Sequence, residues 1–531
     1  MNNQLAQHVL EIAIQKGIKE FCVCPGARNA PLVYALDQLK HLVTYYWFEE
    51  RSAAFFALGR IKALGQPVAV LTTSGTAAGE LLPAAMEAYY TGLPLLLMTA
   101  DRPRRFRGTG APQSAEQVGL FGCYAHFNQD LAGQETCDLD RWSCKGPAHL
   151  NICFEEPNEV ECQLMHWHVI EEPREKEAVI LESLGNEQAI FLEFMDRVQF
   201  PLAIVGALSE SSREKVVQFL LRLNAPIYAE GLSGLREEPR LEHLRVACID
   251  QIWQQSQQFN YPIDGILRVG GVPTARLWRD LEEKKVDIHV CCISEQPFSG
   301  LSRAAVICIS LAPFLAVFQH QPDSIKCRAY PFEKWLEADH HSYQKLMDLF
   351  TEEPLAEPSL IHQLSKQLPS QALVYLGNSL PIREWDLAAT YVNRNYQMQA
   401  NRGLNGIDGQ ISTFLGLSVA RKNAWALIGD LTLLYDMAGP WILSRLPEMQ
   451  VNITIINNGG GQIFSRMFSL AHFTNAHDLH FEHLAAFWKM NYAYWERIPD
   501  HIEAINGNRL IEIVPDSQAT LRFWKKRLAL A

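Results

Sequence analysis

Short, continuous apolar runs of strand length recur along nearly the whole chain, each ending in small or polar residues. They cover residues 67–71, 93–98, 149–154 and 201–205, then 266–269, 288–293 and 305–309, and finally 373–376, 424–428 and 451–456. Longer stretches between them, such as 4–16, 52–64 and 77–90, carry the spacing of amphipathic helices. Strands that are apolar on both faces and alternate with helices build parallel sheets covered on both sides. Such sheets bind ligands beyond the carboxyl ends of their strands, so candidate residues are sought in those loops. Two charged, proline-containing stretches, 171–176 and 352–358, interrupt the series. They divide the chain into regions 1–172, 180–348 and 358–531, each the size of one α/β domain.

Composition excludes several functions. With 47 basic and 59 acidic side chains the 531-residue chain carries a formal charge of −12, a poor basis for gripping nucleic acid or an anionic membrane. An anionic substrate therefore needs a local basic pocket set against the global sign. Twelve cysteines are too few for a disulfide scaffold, and neither Cys22 with Cys24 nor Cys291 with Cys292 forms a CxxC pair, which fits reduced thiols in a cytoplasmic protein. The start Met1-Asn2-Asn3-Gln4 is not expected to be a signal peptide, and no apolar run approaches the roughly 18 residues of a membrane span.

The strongest local signal lies in the last third. The run 424–428 leads into Gly429-Asp430, and 28 positions after Asp430 the run 451–456 has led into Asn457-Asn458-Gly459-Gly460-Gly461. A carboxylate, an amide oxygen and a glycine-rich turn offering a backbone carbonyl are hard oxygen donors suited to Mg²⁺, which commonly bridges to phosphates. Glycines let the backbone approach those phosphates closely. The arrangement resembles the diphosphate–metal signature of thiamine diphosphate enzymes. By that resemblance Asp430, the Asn458 side chain and the Gly460 carbonyl hold Mg²⁺, or Mn²⁺ in its place, while Leu431, Thr432 and Gly461 border the cofactor.

The resemblance extends to the other end of the cofactor. The family places a glutamate after a strand and at the start of a helix, where it meets the aminopyrimidine and promotes ylid formation. Tyr45-Tyr46-Trp47-Phe48 followed by Glu49-Glu50-Arg51-Ser52 matches, with Glu50 at the catalytic position. The turn Thr73-Ser74-Gly75-Thr76 corresponds to the one that receives the pyrimidine, and Gly146-Pro147 to the strand that closes the same domain. The implied fold is α/β, with three doubly wound parallel-sheet domains: pyrimidine-binding, central and diphosphate-binding.

Arginine motifs narrow the resemblance. Cys24-Pro-Gly-Ala-Arg28, Thr99-Ala-Asp-Arg102-Pro, Gly110-Ala-Pro-Gln113, Gly377-Asn-Ser379-Leu-Pro-Ile-Arg383 and Asn401-Arg402-Gly-Leu-Asn-Gly-Ile407-Asp-Gly are similar to motifs of the synthase family of menaquinone biosynthesis that makes 2-succinyl-5-enolpyruvyl-6-hydroxy-3-cyclohexene-1-carboxylate (SEPHCHC). Membership implies a transferase that decarboxylates 2-oxoglutarate and adds the succinyl unit to isochorismate. Both substrates are dianions, and arginines suit them because guanidinium pairs bidentately with carboxylate. Arg28, Arg102, Gln113, Arg276, Ser379, Arg383 and Arg402 are the implied substrate residues. Ile407 matches the side chain over which the cofactor bends, with Ile463 and Phe464 towards the acceptor.

The family also implies a homodimer or dimer of dimers with active sites at subunit interfaces. The chain departs from the pattern at Ala27 (for Ser), Pro112 (for Asn), Gly459 (for a third Asn), a metal-motif gap longer by one, and a central domain offering only Arg276 where a Lys-Arg pair is usual. These departures point to altered acceptor affinity or specificity. A thiamine-dependent 2-oxo acid decarboxylase or carboligase with another acceptor is the enzymatic alternative, and a cofactor-binding protein without turnover is the third reading.

Overall fold

The structure is a computed structural model that describes residues 2–163, 186–283, 287–302, 306–325 and 328–529. Among the described residues there are three sheets, and every strand pairing is parallel. The first is built from β1 (Glu20–Val23), β2 (Val43–Tyr46), β3 (Val68–Thr72), β4 (Leu95–Asp101), β5 (Phe127–Ala132) and β6 (Ala148–Cys153), in the order β2-β1-β3-β4-β6-β5. The second holds β7 (Pro201–Val205), β8 (Ile227–Ala229), β9 (Gly265–Val269), β10 (His289–Ser294) and β11 (Val306–Ser310), in the order β11-β10-β9-β7-β8. The third holds β12 (Leu373–Leu376), β13 (Gln397–Gln399), β14 (Ala424–Gly429), β15 (Val451–Ile456), β16 (Asn491–Trp495) and β17 (Arg509–Ile513), in the order β13-β12-β14-β15-β17-β16.

Renumbered within their own domains, the first and third sheets have the same strand order. The turn after β3 and the turn after β14 are thus topological equivalents, and these are Thr73–Thr76 and Gly429-Asp430. The central strands β3, β14 and β15 are almost wholly buried, which is why their sequences read as unbroken apolar runs.

Three local features differ from the sequence expectation. The helix expected over 77–90 is two helices, Thr76–Gly79 and Leu82–Thr91. Pro83 explains the break: it fits the first turn of a helix but removes a hydrogen bond inside one. The helix expected from Ser52 starts at Glu50, where the Glu49 carboxylate accepts from the Arg51 and Ser52 amides, and it ends at Gly65 in the left-handed conformation (φ 67°). The stretch read as a linker over 352–358 is mostly helical at its ends. One helix, Glu333–Glu352, runs into it, and another, Glu357–Gln367, begins inside it with Pro358 in its first turn and Glu357 buried. The other expected linker, 171–176, lies outside the described residues. Among the described residues no helix is long and apolar enough to cross a membrane.

The N-terminal and C-terminal domains share one apolar core. Ala53, Phe56 and Ala57 of the Glu50 helix pack in the same cluster as Ile411, Phe414 and Leu415 of the helix Gln410–Ser418.

Candidate active site

Glu50 is the first residue of its helix, directly beyond β2, and is half-buried. Burial pushes its carboxyl above the usual range; its own backbone N–H opposes that shift, while the nearby Glu49 and Glu80 add to it. A carboxyl held towards its neutral form at a strand end can donate a proton to a ring nitrogen and take one back. The Thr73–Thr76 turn follows β3, which β1 separates from β2 in the same sheet. Gly75 adopts φ 86°, and its amide donates to Gln117 Oε1 at 2.8 Å. Gln113 packs over the same glycine: a Cβ built there would come 3.3 Å from the Gln113 Cα. A Cβ on Gly26 would come 2.6 Å from the Thr73 Cβ, so the loop carrying Arg28 is pressed onto this turn. Gln117, absent from the sequence-derived residues, is wholly buried and also donates to Asn151 Oδ1 at 2.9 Å.

The third sheet builds the second half. Asp430 opens the helix Asp430–Tyr435; its Oδ1 accepts from Leu431 N at 2.6 Å and its Oδ2 from Gly460 N at 2.8 Å. Burial raises its carboxyl above the usual range, opposed by the Gly460 and Leu431 amides. Thr432 is buried beside it. His477, which the sequence did not single out, places Nε2 3.3 Å from Asp430 Oδ2. Asn458 Nδ2 donates to both oxygens of Glu357 at 3.0 Å, while Asn458 Oδ1 is buried and accepts no hydrogen bond. Gly460 has φ 127°, and a Cβ there would lie 2.4 Å from Thr474 O, so only glycine fits.

An orphaned buried amide oxygen costs on the order of 1–3 kcal/mol unless something binds it. Together with the Asp430 carboxylate and a glycine carbonyl it forms an all-oxygen donor set, so the residues present fit a hard divalent cation. Gly461, Ile463 and Phe464 follow in a tight turn, Gln462–Phe464. Phe464 is exposed and lies 6.2 and 6.5 Å from the Phe468 and Phe473 rings.

The arginines fall into two groups. Arg402 Nη1 donates to Asn378 Oδ1 at 2.9 Å, next to Ser379, which takes φ 74° at the start of the helix Leu380–Ala388. Arg383 Nη1 donates to Thr274 O at 2.8 Å, and Arg276 follows in the same segment, its side chain largely exposed. Burial lowers the Arg402 guanidinium, chiefly opposed by Glu230 and reinforced by Arg383, which places these groups in one neighbourhood between the central and C-terminal domains. In the N-terminal domain Arg28 donates to Phe154 O at 3.1 Å and to Glu156 Oε2 at 2.7 Å, and Arg102 Nε to Pro112 O at 2.7 Å. Among the described residues no hydrogen bond or ion pair joins the two groups within one chain.

The loop carrying Arg402 and the half-buried Ile407 is held by Glu87, whose carboxylate accepts from Gly403 N at 2.8 Å and Leu404 N at 2.9 Å. Beside it a cavity of about 220 Å³ is lined by Phe55 and Met86 from one domain and Asn401 and Asp408 from the other.

Residues 3–120 match the family model described as thiamine pyrophosphate enzyme, N-terminal TPP binding domain. Among known proteins, the chain is 40% identical to the SEPHCHC synthase of Bdellovibrio bacteriovorus, over 99% of this chain and 98% of that one. It is 38% identical to the synthase of the same name from Akkermansia muciniphila, over 95% and 94%. Among solved structures, a Mycobacterium smegmatis protein described as a candidate thiamin diphosphate-dependent enzyme superposes with a TM-score of 0.68 at 13% identity, covering 97% of this chain and 99% of that one, a likeness of fold. Identity of this extent runs through all three sheets and both halves of the site, and by it the chain belongs to the 2-succinyl-5-enolpyruvyl-6-hydroxy-3-cyclohexene-1-carboxylate synthase family of thiamine diphosphate enzymes.

Proposed function

We propose that the protein decarboxylates 2-oxoglutarate and adds the succinyl unit in conjugate fashion to isochorismate, forming SEPHCHC for menaquinone synthesis in the cytoplasm. The observation that carries this reading is the cradle in which Asp430 accepts from Gly460 N while Asn458 Oδ1 stays buried and unpartnered. Asp430, Asn458 and the Gly460 carbonyl would hold Mg²⁺, or Mn²⁺, against the diphosphate. Leu431, Thr432 and Gly461 would border it, and Ile407, Ile463 and Phe464 would shape the apolar surroundings. When bound, thiamine diphosphate supplies a carbon nucleophile that also serves as an electron sink.

The chain's own residues do the rest. Glu50 holds or releases the proton at the aminopyrimidine, and the Thr73, Ser74, Gly75 and Thr76 turn seats that ring. Arg383 and Arg402, with Ser379 and Arg276 at their margins, offer guanidinium forks to the carboxylates of one substrate. Arg28, Arg102 and Gln113 do so from the N-terminal domain. The regions 1–172, 180–348 and 358–531 serve as pyrimidine-binding, central and diphosphate-binding domains.

The start of the Glu50 helix meets the far end of the Asp430 helix: Arg51 Nη2 donates to Tyr435 O at 2.9 Å. Around the metal loop Met467, Phe468, Leu470 and Phe473 are exposed. The exposed apolar patch supports a homodimer, or a dimer of dimers, in which the Glu50 half of one subunit would face the Asp430 half of its partner.

The test is incubation with 2-oxoglutarate, isochorismate, thiamine diphosphate and magnesium, with the product identified by mass. Release of CO₂ from 2-oxoglutarate without an isochorismate-dependent product would favour a decarboxylase or carboligase using another acceptor.

A further inference from the structure

A primary amide has an oxygen end and a nitrogen end of nearly the same shape, and its orientation is decided by what surrounds it. At Asn458 the decision is made by Glu357. Both Glu357 carboxyl oxygens accept from Asn458 Nδ2 at 3.0 Å, so the nitrogen end of the amide faces Glu357. The oxygen end is thereby turned away, buried and without a donor, on the loop whose Gly460 amide binds Asp430. Glu357 is itself firmly placed. It opens the helix Glu357–Gln367, its amide donates to Thr520 Oγ1 at 3.0 Å, and it is 2% exposed.

Burying a carboxylate is expensive, and among the described residues Glu357 forms no salt bridge with an arginine or lysine, the Arg466 guanidinium offsetting its burial only from a longer distance. Its neighbour Glu384 is also buried and acidic, which makes the arrangement costlier for the fold alone. A neutral side chain would satisfy Asn458 Nδ2 more cheaply. What the Glu357 carboxyl adds is a pair of oxygens that both accept from Asn458 Nδ2 and so orient the amide.

We propose that Glu357 is a positioning residue for the magnesium site: its carboxylate fixes the Asn458 amide so that Oδ1 is committed to the cation. The inference rests on the reading of Asn458 as a metal ligand. Groups behind a ligand commonly alter metal affinity by about 10–100-fold.

The test uses the full chain and measures, by calorimetry, the magnesium concentration that half-saturates thiamine diphosphate binding. Glu357→Gln is isosteric and uncharged and lets the Asn458 amide turn over. It should keep the wild-type circular dichroism and melting temperature while raising that concentration about 10-fold or more. Glu357→Asp, which keeps the charge but draws it back, is the second variant and should shift it in the same direction. In an Asn458→Ala background the Glu357→Gln change should add nothing. A wild-type magnesium response in either folded Glu357 variant, or full additivity with Asn458→Ala, overturns the role of Glu357. If Asn458→Ala alone leaves the magnesium response unchanged, the metal-ligand reading itself fails.

Discussion

Gly59 and Gly416 face each other where the Glu50 helix crosses the Gln410 helix. A Cβ built on Gly416 would lie 3.0 Å from the Gly59 Cα and 2.1 Å from Phe56 O, and one built on Gly59 would lie 2.1 Å from Thr413 O. The two helices follow equivalent positions of two sheets with the same strand order, so the pair marks the contact between the two halves of an internal duplication of architecture. Backbone against backbone leaves no room for adjustment. Gly416→Ala is therefore expected to destabilise the fold by about 1–3 kcal/mol in urea unfolding, the usual cost of overpacking. Gly79→Ala is the control: nothing lies within 4 Å of its built Cβ, so it should be neutral or slightly stabilising. Equal stability of the two variants would remove the crossing from the account of how the domains are joined.

The roles proposed for Glu50 and Asp430 separate catalysis from binding. Glu50→Gln keeps the shape of the side chain but cannot exchange a proton, and turnover should fall on the order of 10²–10⁴-fold, with magnesium-dependent cofactor binding changed only slightly in calorimetry. Asp430→Ala should behave in the opposite way, weakening thiamine diphosphate binding through the loss of the metal. If Glu50→Gln retains wild-type turnover, or Asp430→Ala wild-type affinity, the role given to that residue is wrong.

What the sequence displays depends on burial. The expected strand limits 201–205, 373–376 and 451–456 coincide with β7, β12 and β15, because strands covered on both faces have no polar alternation to blur them. The edge strand β5 is half-solvated and carries Asn128, Gln129 and Asp130, so it shows no apolar run, and β16, Asn491–Trp495, is short with no fully buried residue. Arg102 directly follows β4 and Arg402 follows β13 closely, whereas Arg28 lies in the loop after β1 and Arg383 lies within the helix after β12. Which strand ends share a neighbourhood depends on sheet order and domain packing, neither of which is encoded locally. Glu357 was hidden for a related reason. In a run of glutamates and prolines it looks like solvated linker, and only its contact with Asn458 distinguishes it from its neighbours.

His149 gives the N-terminal domain a defined response to acid. It is wholly buried, with Nε2 2.8 Å from Thr99 Oγ1, and burial lowers its pKa from 6.5 to about 3. The folded state therefore binds fewer protons than the unfolded chain between these values. The resulting stability is complete above pH 6.5 and is lost as pH falls towards 3. Between pH 7.5 and pH 5 the loss from this group is about 2 kcal/mol. His149→Gln cannot titrate, so its stability should fall by about that much less over the same interval, although it starts lower from imperfect packing. Parallel stability–pH curves for the two proteins, measured by urea unfolding, would show that His149 is not the titrating group.

Arg402 offers the sharpest test of carboxylate recognition. Its guanidinium is oriented by Asn378 Oδ1, whose own Nδ2 donates to Asn401 O and Gly406 O at 2.8 Å, so one amide ties the arginine to both ends of its loop. Lysine at this position keeps the charge but presents a single ammonium in place of a planar fork, and it cannot pair bidentately with a carboxylate while also satisfying Asn378. Charge-assisted hydrogen bonds lost in this way are worth about 1.5–3 kcal/mol, or roughly a tenfold to hundredfold change in binding. Arg402→Lys should therefore raise the KM of one dicarboxylate substrate by that factor and leave thiamine diphosphate affinity near wild type. A fall in kcat with both KM values unchanged would place Arg402 outside substrate recognition and leave Arg383 as the cation on that side of the site.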